Sequence, residues 1–399
     1  MATKQIYLDN ASTTQVRPEV LEAMLPFFVE EYGNPASIHS MGRPGRDAVV
    51  RAREAIAHVI KARADEIYFT SGGSEADTWA LKSAVLGPHA KGKHLIVSAI
   101  EHHAILNTCE LLKKMGFETT FIPVDNYGRV DPADVEAAIR QDTAIISVMT
   151  ANNEIGTIEP IRAIGEIAKK HGIMFHTDAV QAYGQIDIDV TRDNIDLLSA
   201  SAHKIGGPKG VGFLYIRNGI KLDPLICGGE QERGIRGGTT NVPGVVGFGK
   251  AAELAESEMA ERQSKEIALR DHLINRVLDE IPYSALNGHP IERLPGNANL
   301  RFAFVEGESL LMSMNMGGVC ISTGSACASG SLDPSHVLLA IGLKHEEAHG
   351  SLRFSVSHNT SVEDIDYAVD LLKSTVERLR NMSPLYEDFV KEQKKNKEA

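Results

Sequence analysis

Between residues 67 and 216 short apolar runs alternate with helical stretches, and this alternation restricts the fold more than any other feature of the chain. The runs at 67–69, 94–100, 118–124, 144–149, 173–176, 195–198 and 211–216 have the length and composition of buried strands. Helical spacing of apolar residues falls at 76–86, 104–115 and 161–171, and Asp131-Pro132 opens another helix. Strands alternating with helices predict an α/β protein with a largely parallel sheet covered on both faces. In such sheets ligands bind beyond the carboxyl ends of the strands.

Several of those ends are polar: Glu101-His102-His103, Asn152-Asn153-Glu154, Asp178-Ala179-Val180-Gln181 and Ser201-Ala202-His203-Lys204. Each has a plain alternative. His102 reads as a satisfied histidine, Asn153 as turn chemistry before Gly156, Asp178 as a turn cap, and Lys204 as a surface lysine ahead of the glycine-rich 205–210. Their recurrence at equivalent topological positions points instead to one site. A lysine desolvated at a strand end loses proton affinity and attacks carbonyls. The turn Thr70-Ser71-Gly72-Gly73-Ser74-Glu75 joins a strand to a helix start, where free backbone N–H groups bind phosphate. It has neither the mononucleotide nor the dinucleotide glycine pattern. Together these residues make sense around a bound aldehyde cofactor.

A chain of 399 residues buries a large core and predicts two domains. A helical stretch from Val242 to about Ile281 bridges to the second, which has strands near 298–304 and 351–357 and helices near 309–316, 334–341 and 362–382. At the other end, Pro18 opens a helix over 19–28, and the charged tail 391–399 is expected to fray. The net charge of −12 argues against nucleic-acid binding, and no apolar run is long enough for a membrane. Residues 1–5 lead straight into a strand, which predicts no signal peptide. Cys109, Cys227, Cys320 and Cys327 form neither a disulfide framework nor a zinc spacing, which predicts a reducing cytoplasm and no metal. Cys320, between Val319 and Ile321, reads as core. Cys327 lies in Ser322-Thr323-Gly324-Ser325-Ala326-Cys327-Ala328-Ser329-Gly330-Ser331, a loop too polar to bury it, which favours a reactive thiol over a small buried hydrophobe.

The chain resembles the cysteine desulfurases of the NifS/IscS-like group, in the aminotransferase class V superfamily of pyridoxal-phosphate enzymes. The resemblance spans nearly the whole chain. It rests on Tyr7-Leu8-Asp9-Asn10-Ala11, Gly33-Asn34-Pro35-Ala36-Ser37, the segment 70–75, Glu101-His102, Asn152-Asn153-Glu154-Ile155-Gly156, Asp178-Ala179-Val180-Gln181, Ser201-Ala202-His203-Lys204 and Gly324-Ser325-Ala326-Cys327. It implies the aspartate aminotransferase-like fold (fold type I). In that fold a large domain over 16–258, with a mostly parallel seven-stranded sheet, carries the cofactor. A smaller α+β domain over 1–15 and 259–399 carries a mobile cysteine loop at about 322–334.

The resemblance also implies roles. Lys204 would hold pyridoxal 5'-phosphate as a Schiff base, Asp178 would pair with the ring nitrogen, His102 would stack on the ring and Gln181 would bond the ring hydroxyl oxygen. Gly73, Ser74, Ser201 and His203 would hold the phosphate, completed by Thr239 from the other subunit of a homodimer with composite sites. Arg353, helped by Asn153, would bind the carboxylate of L-cysteine. Cys327 would take the sulfur as a persulfide and pass it to an iron–sulfur scaffold or another acceptor protein, sharing a cluster transiently as its one metal contact. The chain departs from the family at Ala76, Thr78, Gly237 and His358, none of them a catalytic group. Selenocysteine lyase or cystine lyase chemistry on the same fold, and a non-enzymatic scaffold, are the alternatives.

Overall fold

The computed structural model describes residues 5–87, 90–323 and 334–398. Its strands are β1 (Ile6–Tyr7), β2 (Ile67–Thr70), β3 (His94–Ser98), β4 (Glu118–Ile122), β5 (Thr143–Ser147), β6 (Met174–Asp178), β7 (Leu197–Ser201), β8 (Gly212–Ile216), β9 (Ser284–Asn287), β10 (Asn297–Phe302), β11 (Val319–Cys320) and β12 (Ser351–Ser355). Seven of them form one sheet in the order β2-β8-β7-β6-β5-β3-β4. β8 runs antiparallel to both neighbours, and the other pairs are parallel. Every residue of β3, β5, β7 and β8 is buried, as expected where helices cover both faces. The outer strand β4 leaves Thr119 and Thr120 half-buried and exposes Glu118 and Phe121, which suits a sheet edge.

The register fixes the site. Val97 lies opposite Ser147, Ser147 opposite His176, and His176 opposite Leu197. From that line β6 runs on to Asp178 and β7 to Ser201, and the segments that follow β3, β5, β6 and β7 meet over one edge of the sheet. Helix Gly73–Leu86 packs beneath them through Trp79, whose indole N–H donates to the Asp223 carbonyl at 2.7 Å.

A second packed region has its own core, including Leu8, Leu269, Leu300, Leu352 and Leu372. Its antiparallel sheet β12-β10-β9 lies against helices Met259–Glu280 and Val362–Arg380. The N-terminal segment belongs here: β1 pairs parallel with β11, and Asp9 bridges Ser355.

Four local expectations need correction. The helix expected over 242–281 is two, Val242–Ser257 and Met259–Glu280. They part at Glu258, whose carboxylate pairs with Arg17 at 2.5 Å. The helix expected over 19–28 breaks into Pro18–Met24 and Pro26–Val29, because Pro26 has no N–H to continue it. Cys320 is only half-buried in β11, unlike its neighbours Val319 and Ile321. The tail does not fray at 391, since helix Pro384–Glu398 runs through it with Glu387 and Lys391 paired one turn apart at 2.6 Å. No helix among the described residues is long and apolar enough to cross a membrane.

Candidate active site

Beyond these strand ends lies a cavity of about 260 Å³. It is lined by Gly73, Ser74, His102, Asn153, Asp178, Gln181, Ser201, His203, Lys204 and Arg353, so ten of the expected residues meet in one place. Thr239 does not join them; it is exposed in the stretch after Gly238. Cys327 lies outside the described residues.

Lys204 ends a single turn, Ala202–Lys204, that directly follows β7. Its Nζ donates to the Ala11 carbonyl at 2.5 Å and to the Ser12 carbonyl at 2.9 Å. Gln181 Nε2 donates to the same Ala11 oxygen at 2.8 Å. Thr14 donates to the His203 carbonyl from its backbone and its hydroxyl, at 2.9 Å each. The N-terminal segment is thus laid across the mouth of β7 and fixes where the lysine amine sits.

Beneath the cavity floor are three acids. Asp178 ends β6, accepts from the Val180 N–H at 2.8 Å, and is pushed by burial up to about 6, while that N–H and the Lys204 charge pull the other way. Asp77, one helical turn after Gly73, is pushed well above the carboxylate range by burial and by the Asp178 charge. Its Oδ1 is buried without a hydrogen-bond partner among the described residues. Glu101 accepts from the Met149 N–H at 2.7 Å and is likewise driven up, mainly by burial. His176, between Ser147 and Ser199, is driven down to about 3 by burial and adds no positive charge. Donor atoms of Asp77, His102 and Asp178 lie within 4.8 Å of one another. A carboxyl kept protonated by burial is a poor cation ligand but a good hydrogen-bond donor.

Two imidazoles in the cavity are neutral. Burial, then the Lys204 charge, lowers His102 to about 4 and His203 to about 4. His102 caps helix His103–Lys114, its Nδ1 accepting from the Ala104 N–H at 3.1 Å, so the proton of the neutral ring is on Nε2. His203 Nδ1 bonds Thr13 Oγ1 at 3.0 Å.

Opposite the lysine, Arg353 stands in the middle of β12 with only 2% of its surface exposed. Its Nη1 donates to the Asn153 carbonyl at 2.9 Å, and its Nη2 to Asp9 at 3.0 Å and Ser12 Oγ at 2.7 Å. Its Nε is buried with no partner among the described residues. At the far end, helix Gly73–Leu86 points its N-terminus at the cavity. A Cβ at Gly73 would fall 2.5 Å from Val180 Cγ2, so only glycine lets this turn close. Glu75 accepts from the Ser71 N–H at 2.7 Å and takes two bonds from Arg236, at 2.9 and 3.1 Å, which ties the stretch carrying Thr239 to this turn.

Sequence reasoning missed Asp9, Ser12, Asp77, His103, Glu154 and His336, all in or touching the cavity. For Asp77 a signal existed: four residues after Gly73 on a helix, it shares that residue's face. The departure at Gly237 has a physical counterpart, because a Cβ there would meet Gly228 Cα at 2.5 Å.

The aminotransferase class-V family model matches residues 6–368. A protein named cysteine desulfurase IscS from Methanosarcina thermophila is 54% identical over 382 residues, covering 96% of this chain and 94% of that one. Among solved structures, a NifS-like protein superposes with a TM-score of 0.88 at 35% identity, over 94% of this chain and 99% of the other. One described as SspA in complex with cysteine gives 0.80 at 38% identity, over 88% and 99%. The fold is that of the type I pyridoxal-phosphate enzymes. The match over residues 6–368 makes the chain a member of the aminotransferase class-V family.

Proposed function

We propose that this protein is a pyridoxal-phosphate-dependent cysteine desulfurase, which takes sulfur from L-cysteine, releases L-alanine and holds the sulfur as a persulfide on Cys327. The observation that carries this reading is the meeting of Lys204, Asp178, neutral His102 and the Gly73 turn in one cavity of about 260 Å³. The donor set fits the cofactor: a lysine amine, a flat neutral ring, a buried acid and a helix N-terminus facing the same space. When bound, the cofactor supplies an electron sink that labilises bonds at the substrate α-carbon.

The chain's own groups do the rest. Asp178 holds the ring nitrogen and His102 covers the ring. Gln181, on leaving Ala11, donates to the ring oxygen. Gly73, Ser74, Ser201 and His203 hold the phosphate, with the partner subunit's Thr239 completing it in a homodimer. Lys204 supplies the amine for cofactor attachment and then moves the α-proton. Arg353 takes the substrate carboxylate on its unpartnered Nε, next to Asn153. Cys327 attacks the substrate sulfur and hands the persulfide to an acceptor for iron–sulfur assembly or thio-modification. Residues 16–258 form the cofactor domain, and 1–15 with 259–399 the small domain, a division supported by the separate core around Leu300 and Leu352. We place the enzyme in the cytoplasm, where a thiol nucleophile stays reduced.

The test uses Cys327→Ser in a Cys227→Ser background, since Cys227 is an exposed free thiol that competes for transferred sulfur. The double variant should still bind cofactor and still change its visible spectrum with cysteine, while alanine and sulfide turnover collapse. Near-normal alanine release by a folded Cys327→Ser protein would overturn the persulfide step and leave a simple lyase.

A further inference from the structure

One wall of the cavity is made of two imidazoles that the roles above leave idle. The rings of His103 and His336 lie 4.9 Å apart, tilted by 53°. They come from opposite ends of the chain, His103 from the first turn after β3 and His336 from helix His336–Ala340. His336 is held in place. Its Nε2 faces the Glu101 carbonyl at 3.0 Å, and since a carbonyl only accepts, Nε2 carries the proton and Nδ1 keeps its lone pair. The preceding residue, Ser335, donates to Glu154 at 2.5 Å and caps the helix. His103 makes no hydrogen bond among the described residues; its contacts are the rings of His336 and, at 6.3 Å, His102.

We propose that His103 and His336 act as a paired-imidazole base that removes the thiol proton of the substrate. This rests on the desulfurase reading above. The amino acid has three polar ends and the cavity three polar walls. The amine must meet Lys204 and the carboxylate must meet Arg353, so the imidazole wall is left for the thiol. In the step the S–H bond breaks, an N–H bond forms on one imidazole, and no redox change occurs; the proton passes to water when product leaves. The surroundings favour a base ready to accept. Burial lowers both rings and His336 lowers His103 further, while buried Glu154, with Arg353 behind it, raises His103 and the Glu101 carbonyl raises His336; the third neighbour, His102, is neutral. Burial opposes a proton resting on either ring, so the pair empties readily after each turnover.

A free cysteine thiol ionises near 8.5, so about 3% is thiolate at pH 7. The experiment measures kcat/KM for L-cysteine from pH 6.5 to 9.5 in the holoenzyme and in H103Q, H336Q and the double variant. Glutamine at 336 keeps a donor for the Glu101 carbonyl while removing the base. Spectral titration with L-serine, which has amine and carboxylate but no thiol, controls for folding and binding. The double variant should lose up to about 30-fold at pH 7, recover to within about twofold by pH 9.5, and titrate with L-serine as the parent does. A loss that is uniform across pH, or an equal weakening of the L-serine titration, overturns the proposal and leaves the pair a structural role. A parent enzyme that makes no alanine from cysteine at any pH overturns the desulfurase reading and this proposal with it.

Discussion

Arg353 donates to Asp9 across 3.0 Å, joining the centre of β12 to the turn that follows β1. Both Nη atoms are already committed to Asp9, Ser12 and Asn153, so the fork is held rigidly in the cavity wall. Arg353→Lys keeps the charge and loses that geometry. Catalytic efficiency with L-cysteine should fall about 10- to 100-fold, mostly as a higher KM, for the loss of one to two charge-assisted hydrogen bonds. Steady-state alanine release measures it; an unchanged KM would remove Arg353 from the carboxylate site.

Lys204→Ala should leave the fold standing. Its amine satisfies the Ala11 and Ser12 carbonyls, and their loss costs on the order of 1–2 kcal/mol in a denaturant melt. Borohydride should trap cofactor on the parent and not on the variant. Peptide mapping should put the label on Lys204; a label on Lys209 would move the attachment point.

Exposed Thr239, tied to the phosphate turn through Arg236 and Glu75, predicts complementation between subunits. Mixed after unfolding, Lys204→Ala and Thr239→Ala chains should form half their dimers as hybrids, each with one intact site of two, and so recover about a quarter of parental activity. Recovery no greater than the sum of the two separate variants would refute a shared site.

Glu266 gives a pH signature in stability. It is buried, makes no hydrogen bond among the described residues, and burial raises its carboxyl from 4.5 to about 7. Below pH 4.5 it is protonated folded or unfolded and contributes nothing. Between 4.5 and 7 only the unfolded chain gives up the proton, so stability falls as pH rises, by about 3 kcal/mol once above 7. Glu266→Gln should therefore raise the denaturation midpoint at pH 8 and match the parent near pH 4. Equal midpoints at pH 8 would show the carboxyl ionises freely in the fold.

The central sheet was legible because burial on both faces turns strands such as β3 and β5 into unbroken apolar runs. β9 and β11 were not: one is four residues mostly half-buried, the other only two, and neither carries a pattern. The helix break at Glu258 has no glycine or proline to mark it, and that residue's pairing with Arg17, more than two hundred positions away, is encoded by no local propensity. The site divided the same way. Lys204, Asp178 and His102 follow strands and announce themselves as polar residues at apolar ends. Asp9 and His336 matter through partners at Arg353 and His103, and only the folded chain brings those together.

The order in which the ribosome releases the chain gives the position of β1 a consequence. By residue 216 every strand of the large sheet has emerged, and with it Lys204. The segment at 5–12 came out earlier still, yet its strand partner is at 319–320 and its arginine at 353. A nascent or truncated chain can thus own the lysine and lack the guanidinium, and so has no grip on an amino acid's carboxylate. Competence arrives nearly all at once, when the last stretch of sheet is threaded beside a segment made long before.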